Sequence, residues 1–116
     1  MIDKDKAQFV FLFNQLCAEM HEYSKRHGFW IEGKQRNFGE MIALVHSELS
    51  EALEAARVGN SIDEKLPDFN CITVELADAI IRIMDIAGGY AYPLGHAIIA
   101  KMKFNETRPH MHGKQF

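Results

Sequence analysis

Residues 38–58 decide the fold class of this chain, and they read FGEMIALVHSELSEALEAARV. Apolar side chains recur in this stretch at steps of three and four residues, and Gly59-Asn60-Ser61 follows it. This spacing is typical of one face of an amphipathic helix, and glycine commonly follows a helix end. The stretch therefore predicts a helix from Phe38 to about Val58. Its apolar positions are Met41, Leu44, Val45, Leu49, Ala52, Leu53 and Ala56.

Three other segments have the same helical periodicity. The predicted helices are Asp5 to His27, ending at Gly28; Phe69 to Ala87, ending at Gly88-Gly89; and a segment from the turn at Pro93 to about Glu106, stopped by Pro109. The segments between the helices are expected to be loops, and the tail from His110 to Phe116 is expected to be extended. No segment alternates with a two-residue period, so a sheet is not expected. The predicted fold is an all-α four-helix bundle with mostly antiparallel neighbours, formed by a single domain over residues 1–116.

The composition narrows the possible partners and location. The 116 residues are 47% apolar and carry a net charge of -3, so a packed globule is expected, without the broad positive surface that binds nucleic acid or anionic lipid. The longest early apolar run, Phe9 to Phe13, is too short to span a membrane. Cys17 and Cys71 lie far apart, which favours two free thiols in a reducing compartment. The sequence therefore predicts a cytoplasmic protein with neither nucleic acid nor membrane as a partner.

Paired acids on two of the predicted helices are the most informative feature. Glu48 and Glu51 lie three residues apart on the second helix, and Glu75 and Asp78 have the same spacing on the third. Residues three apart project from the same side of a helix. Both pairs also border the apolar positions, so packing of the two helices is expected to bring four carboxylates together.

Converging carboxylates repel one another and need a cation if they are buried. Carboxylate oxygens suit a hard ion such as Mg²⁺, for which Mn²⁺ is a possible substitute. Two alternatives remain at this point. The acids can be solvated helix faces, or the bundle can hold two iron ions, although the Glu-x-x-His spacing typical of such sites does not occur here.

The fourth predicted helix supplies positive charge. Lys101, Asn105 and Arg108 follow one another at four and three residues, so they share a face. Lysine and arginine bind phosphate oxygens, and asparagine can bind a phosphate, a sugar hydroxyl or a metal-bound water. Taken alone, the three can equally form a solvated basic face.

The order of these motifs resembles the MazG-like family of all-alpha nucleoside triphosphate (NTP) pyrophosphohydrolases. The resemblance covers about Glu40 to Lys114 and includes the ending Asn105-Glu106-Thr107-Arg108-Pro109 with His112-Gly113-Lys114. It implies a homodimer or a dimer of dimers that hydrolyses nucleoside triphosphates to a monophosphate and pyrophosphate. The acids Glu48, Glu51, Glu75 and Asp78 would bind Mg²⁺, and Glu48 or Glu51 would activate the attacking water. Lys101 and Asn105 would contact the triphosphate or the metal site, with Arg108 and Lys114 as further candidates.

Two regions outside these motifs carry further expectations. Trp30 and Lys34, in the loop after the first helix, are candidate substrate contacts, with Trp30 stacking on the nucleobase. Alternatively, Trp30 anchors the first helix. Arg82 and Asp85 are expected to form an ion pair beside the acids, and Asp85 can also contact a metal. The alternatives to the family's activity are a non-catalytic helical interaction module and a hydrolase of another phosphorylated nucleotide.

Overall fold

The chain folds into four α-helices without a β-strand, as the sequence predicts. The computed structural model describes all of residues 1–116. Its helices are α1 (Asp3–Arg26), α2 (Phe38–Arg57), α3 (Cys71–Tyr90) and α4 (Leu94–Glu106). The only β-type pairing is a single isolated bridge between Ile62 and Asn70, in the connection before α3. None of the helices combines the length and the apolar content that crossing a membrane requires.

Asparagine side chains start two of the helices. The Asn37 side chain accepts a hydrogen bond from the backbone N–H of Glu40 at the start of α2, and Asn70 accepts one from Thr73 at the start of α3. Such caps satisfy backbone donors that have no partner inside the first turn of a helix. The start of α3 was predicted at about Phe69 and lies two residues later, at Cys71, because the capping residue is Asn70.

One predicted chain break and the predicted conformation of the tail are wrong. Gly88-Gly89 does not end α3, which continues to Tyr90 and stops at Ala91, whose φ is 56°. Gly88 instead packs against α1, since a Cβ atom there would lie 2.3 Å from the Cys17 carbonyl oxygen. The tail is also not fully extended, because His110–Gly113 form a short turn in which Met111 and His112 have left-handed backbone angles, with φ of 52° and 55°.

Helix α3 contacts both α1 and α2, and α4 packs on α1, which gives the packing order α2, α3, α1, α4. Met41 and Val45 of α2 pack with Ala79 and Ile86 of α3 in one buried cluster. A second cluster joins Cys17 of α1 to the α3 residues Met84 and Ala87. The core is thus divided between the two faces of α3.

This core is small for the size of the chain. The exposed area is 8917 Å², whereas a compact monomer of 13.3 kDa exposes roughly 6,450 Å². The radius of gyration is 16.7 Å, against about 13.4 Å expected for a compact domain of this length. Several large apolar side chains on the helices, including two of the apolar positions predicted on α2, are correspondingly exposed: Leu12, Leu16, Leu49, Leu53, Leu76, Ile80 and Ile83. A large apolar surface is therefore left uncovered by the single chain.

Replacing Gly88 by alanine is expected to destabilise the protein by about 1–3 kcal/mol, because the added methyl group would push α1 away from α3. Equilibrium unfolding in urea measures the change. Gly39→Ala is the matched helical control, since a Cβ atom at position 39 meets only the Asn37 side-chain oxygen, at 3.3 Å. We expect this control to change stability by less than about 1 kcal/mol. Equal stability of Gly88→Ala and the native protein would contradict the close packing of the two helices.

Candidate metal centre

Three glutamates converge where α2 packs against α3. Glu48 lies on the buried side of α2 between Val45 and Ala52, and only 8% of its surface is exposed. Glu48, Glu51 and Glu75 each offer one carboxylate oxygen, and these oxygens lie within 4.8 Å of one another. Two oxygens on opposite sides of a Mg²⁺ ion are about 4.2 Å apart. Small side-chain movements would therefore allow the three to share one ion.

Glu75 carries the clearest sign of an unsatisfied charge. Its Oε2 atom is buried and has no hydrogen-bond partner. Burial, followed by the neighbouring Glu51 and Glu48 carboxylates, raises the pKa of Glu75 to about 7. A carboxylate in this position is ionised at neutral pH at a cost in free energy unless a cation lies beside it. The oxygen donors and the uncompensated charge both fit a divalent ion such as Mg²⁺ or Mn²⁺.

Asp78, the fourth predicted ligand, lies outside the group of three but acts on the same electrostatic environment. It is partly buried on α3. Burial raises the pKa of the Asp78 carboxyl, the Glu48 charge raises it further, and the positive charge of Arg82 opposes them. Asp78 and Glu48 also line one cavity. Asp78 is therefore close enough to the glutamates to affect their charges, but its oxygens are not among those that lie within 4.8 Å of one another.

The predicted ion pair between Arg82 and Asp85 is wrong. The Arg82 guanidinium instead donates from Nε to Glu48 Oε1 at 2.9 Å, across the contact between α3 and α2. Arg82 follows Asp78 by four residues, so it shares the acidic side of α3, whereas Asp85 points toward α1. Arg82 is therefore the only basic residue that forms an ion pair with one of these acids, and that acid is Glu48.

Asp85 is buried in a polar network that joins α3 to α1 and to the loop between α1 and α2. It accepts hydrogen bonds from Ser24 Oγ at 2.8 Å and from Trp30 Nε1 at 2.9 Å, and His21 Nδ1 lies 3.0 Å from it. Arg36 forms an ion pair with it at 3.5 Å. These contacts satisfy the buried carboxylate. The sequence expectation that Asp85 can contact a metal gains no support, because its oxygens already have protein partners.

A cavity of about 290 Å³ opens beside the acids and reaches this network. Its apolar wall consists of Met20, Tyr23, Phe29 and Ile81, and its polar side includes Glu48, Asp78, Arg36 and Arg82. An apolar cavity with a few converging charged groups is typical of a small-molecule site. A larger cavity of about 780 Å³ lies between α1 and α4, but its lining contains no acid. The smaller cavity is the one joined to the candidate metal centre.

The predicted substrate contacts on α4 and in the tail form no ion pair with the acidic group. Lys101 Nζ and Arg108 Cζ lie 5.0 and 5.8 Å from the centre of the Phe104 ring. No ion pair joins Lys34, Lys101, Arg108 or Lys114 to an acid. Asn105 has a buried side-chain oxygen without a hydrogen-bond partner. Nothing in these contacts places the basic face of α4 at the candidate metal centre.

Trp30 has the position of an anchor. Its indole N–H is bound to Asp85, and its ring contacts His21 and Tyr90 edge to face. The Arg36 guanidinium lies over the Trp30 ring, with its central carbon 5.1 Å from the ring centre. The side chain that the sequence offered as a base-stacking group is therefore already packed between α1 and α3.

Sequence reasoning missed the residues that α1 and the following loop bring to the cavity. Arg82 of α3, which the sequence did place beside the acids, had a local signal, since it follows Asp78 by one helical turn. Tyr23, Ser24, Phe29 and Arg36 had none, because their approach to the acids depends on how α1 packs against α3. Comparison of the chain with protein-family models, with curated proteins and with solved structures found no match.

The stability of the metal-free protein is expected to fall as the pH rises from about 5 to about 8. The folded state holds a proton on Glu75 up to a pKa of about 7, whereas the ordinary value is 4.5. Between these values the unfolded state binds fewer protons, so raising the pH favours unfolding. Glu75→Gln removes this contribution and is expected to be more stable than the native chain at about pH 8. Thermal unfolding in a metal chelator, followed by circular dichroism at both pH values, measures the difference.

The exposed Glu54 on α2 provides the control. Glu54→Gln removes the same charge outside the acidic group and is expected to leave the pH dependence unchanged. If Glu75→Gln and Glu54→Gln behave alike, the three glutamates do not interact in the folded protein.

Proposed function

We propose that the chain is a Mg²⁺-dependent NTP pyrophosphohydrolase of the MazG-like all-alpha type, acting in the cytoplasm. The observation that supports this most directly is the convergence of Glu48, Glu51 and Glu75, with one buried Glu75 oxygen left without a partner. A divalent cation would neutralise this group and retain coordination positions for phosphate and water. The free thiols of Cys17 and Cys71 fit a reducing compartment.

The proposed reaction is attack by water on the α-phosphorus of a nucleoside triphosphate. A bond forms between the water oxygen and the α-phosphorus, and the bond from that phosphorus to the oxygen bridging to the β-phosphorus breaks. The products are a nucleoside monophosphate and pyrophosphate. Mg²⁺ supplies electrostatic stabilisation of the phosphoryl oxygens and of the leaving pyrophosphate.

The protein's part is to hold the substrate and to take the proton of the water. We assign the proton to Glu51, since it is solvent-exposed and forms no ion pair, whereas Glu48 is bound to Arg82. Glu48, Glu51 and Glu75 would hold the metal, with Asp78 beside them as the fourth acid of the site, so Glu51 would act both as a ligand and as the proton acceptor. The cavity beside them has an apolar wall of Met20, Tyr23, Phe29 and Ile81, which suits the nucleoside end of the substrate. Lys101 and Asn105 remain proposed triphosphate contacts on the family resemblance alone, as do Arg108 and Lys114.

Glu48→Gln and Asp78→Asn are each expected to lower the rate of pyrophosphate release by about 10²–10³, because each removes a negative charge from the proposed metal site. The assay uses a panel of ribo- and deoxyribonucleoside triphosphates with Mg²⁺ or Mn²⁺ and identifies the phosphorus-containing product. Circular dichroism shows whether the variants keep the fold.

Glu54→Gln is the matched control for these variants and should retain the native rate. If the native protein releases nothing from the panel with either ion, a non-catalytic interaction module becomes the better interpretation. If it releases orthophosphate instead of pyrophosphate, the protein is a phosphohydrolase of another type.

The proposal includes self-association as a homodimer or a dimer of dimers. The single chain exposes roughly 2,450 Å² more surface than a compact monomer of its mass. An obligate dimer interface is of this size. The exposed side chains on α2 and α3 follow helical spacing, with Leu49 and Leu53 on one helix and Leu76, Ile80 and Ile83 on the other. Burial of such stripes against a second copy would complete the divided core.

Ile80→Glu is expected to shift the protein toward the monomer, because it places a charge within the proposed interface. Light scattering at micromolar concentration measures the mass, which for the native chain should be at least twice 13.3 kDa. Val58→Glu is the control, since Val58 is exposed just after the end of α2. A native chain that is monomeric at this concentration would contradict the proposed assembly.

A further inference from the structure

Arg82 and the proposed metal ion would compete for the same carboxylate, that of Glu48. Its Nε donates to Glu48 Oε1 at 2.9 Å, and the same glutamate is one of the three that converge. The Glu48 side chain is only 11% exposed, so its charge needs a partner in the metal-free protein. Arg82 supplies one positive charge to one of the three glutamates. It therefore stabilises the acidic group only in part.

A divalent ion bound to the three glutamates would weaken this ion pair for two reasons. The ion carries two positive charges and would lie within a few ångströms of the guanidinium, so the two cations repel. A carboxylate that coordinates a metal also has fewer lone pairs available for a hydrogen bond. Arg82 is 32% exposed, so it has room to leave Glu48.

The cavity next to the acids gives the released side chain a destination. Arg82 lines this cavity together with Glu48 and Asp78, so its guanidinium lies on the polar side next to the acids. The planar guanidinium can donate two parallel hydrogen bonds to a phosphate group. The position therefore suits a residue that exchanges a carboxylate for a phosphate.

We propose that Arg82 is an exchangeable cation: it holds Glu48 in the metal-free protein, is displaced when the divalent ion binds, and then contacts a phosphate oxygen of the substrate. This inference rests on the proposed metal site and triphosphate substrate. It assigns to Arg82 a role in both steps, competing with the metal and binding the phosphate. Arg82 is thus a specific link between metal loading and substrate binding.

The test measures two affinities whose changes should have opposite signs. Arg82→Gln removes the competitor, so Mn²⁺ alone should bind about three- to tenfold more tightly, measured by electron paramagnetic resonance of free Mn²⁺. The same variant loses a phosphate contact, so α,β-imido-ATP in saturating Mn²⁺ should bind about tenfold more weakly. Arg82→Lys keeps the charge without the planar fork and should fall between the native protein and Arg82→Gln in both measurements.

Arg57→Gln is the charge-matched control. Arg57 ends α2 nine residues after Glu48, on the opposite side of the helix at 100° per residue, and it forms no ion pair. It should leave both affinities unchanged. A purely structural role for Arg82 would instead weaken both affinities together.

A second measurement needs no substitution at Arg82. In the ¹⁵N-labelled native protein, the Arg82 Nε–H resonance should shift and exchange faster with water as Mg²⁺ is added, saturating with the same Kd as metal binding. If Mg²⁺ binds and this resonance is unchanged, the exchange does not occur. The same conclusion follows if Arg82→Gln binds Mn²⁺ no more tightly than the native protein does. It also follows if this variant binds the imido analogue as tightly as the native protein does. Failure of the native protein to bind either ion would overturn the proposed function together with this inference.

Discussion

The packing of α3 between α1 and α2 is the constraint on which the other features depend. Gly88 allows α3 to approach the backbone of α1 at Cys17, and Ala79 allows α2 to pack closely on the other side. The first contact sets the position of Asp85 relative to α1, and the second brings Glu75 toward Glu48. Small residues at both contacts therefore fix the distance between the helices that carry polar groups. Larger residues would increase that distance.

The same packing accumulates negative charge inside the molecule. The convergence of three glutamates is unfavourable in the metal-free chain, and the high pKa of Glu75 expresses that cost. Buried charges of this kind are often replaceable by hydrophobic residues without loss of stability. Strongly perturbed carboxyl groups next to a cavity are more frequent at functional sites than elsewhere. The arrangement therefore fits the proposed cation-binding role.

The sequence was sufficient to predict the elements but not their contacts. The periodicity of apolar residues located four helices to within a few residues of their observed ends, and the three-residue spacing of Glu48 and Glu51 placed both on one helix side. Gly88-Gly89 misled the prediction because glycine serves both as a helix stop and as a site of close packing. The Arg82 pairing was wrong because spacing along one helix does not show which neighbouring helix lies opposite.

The contribution of α1 was the part that no local pattern could reveal. Ser24 and His21 lie 61 and 64 residues before Asp85 in the sequence, yet both contact it. Their contact depends on the register of α1 against α3, which is set by the whole core. The exposed apolar stripes show a related effect, since periodicity identifies the side of a helix that avoids water without showing which chain covers it.

The network around Asp85 has one more consequence, which concerns binding entropy. Asp85 holds Trp30 and Arg36 in place, and these two residues stack on each other at 5.1 Å. The loop that closes the small cavity is thus ordered before any ligand arrives. A molecule entering there does not have to immobilise this wall, so more of its contact energy is available as affinity. A ligand bound at this wall would therefore meet a preformed shape.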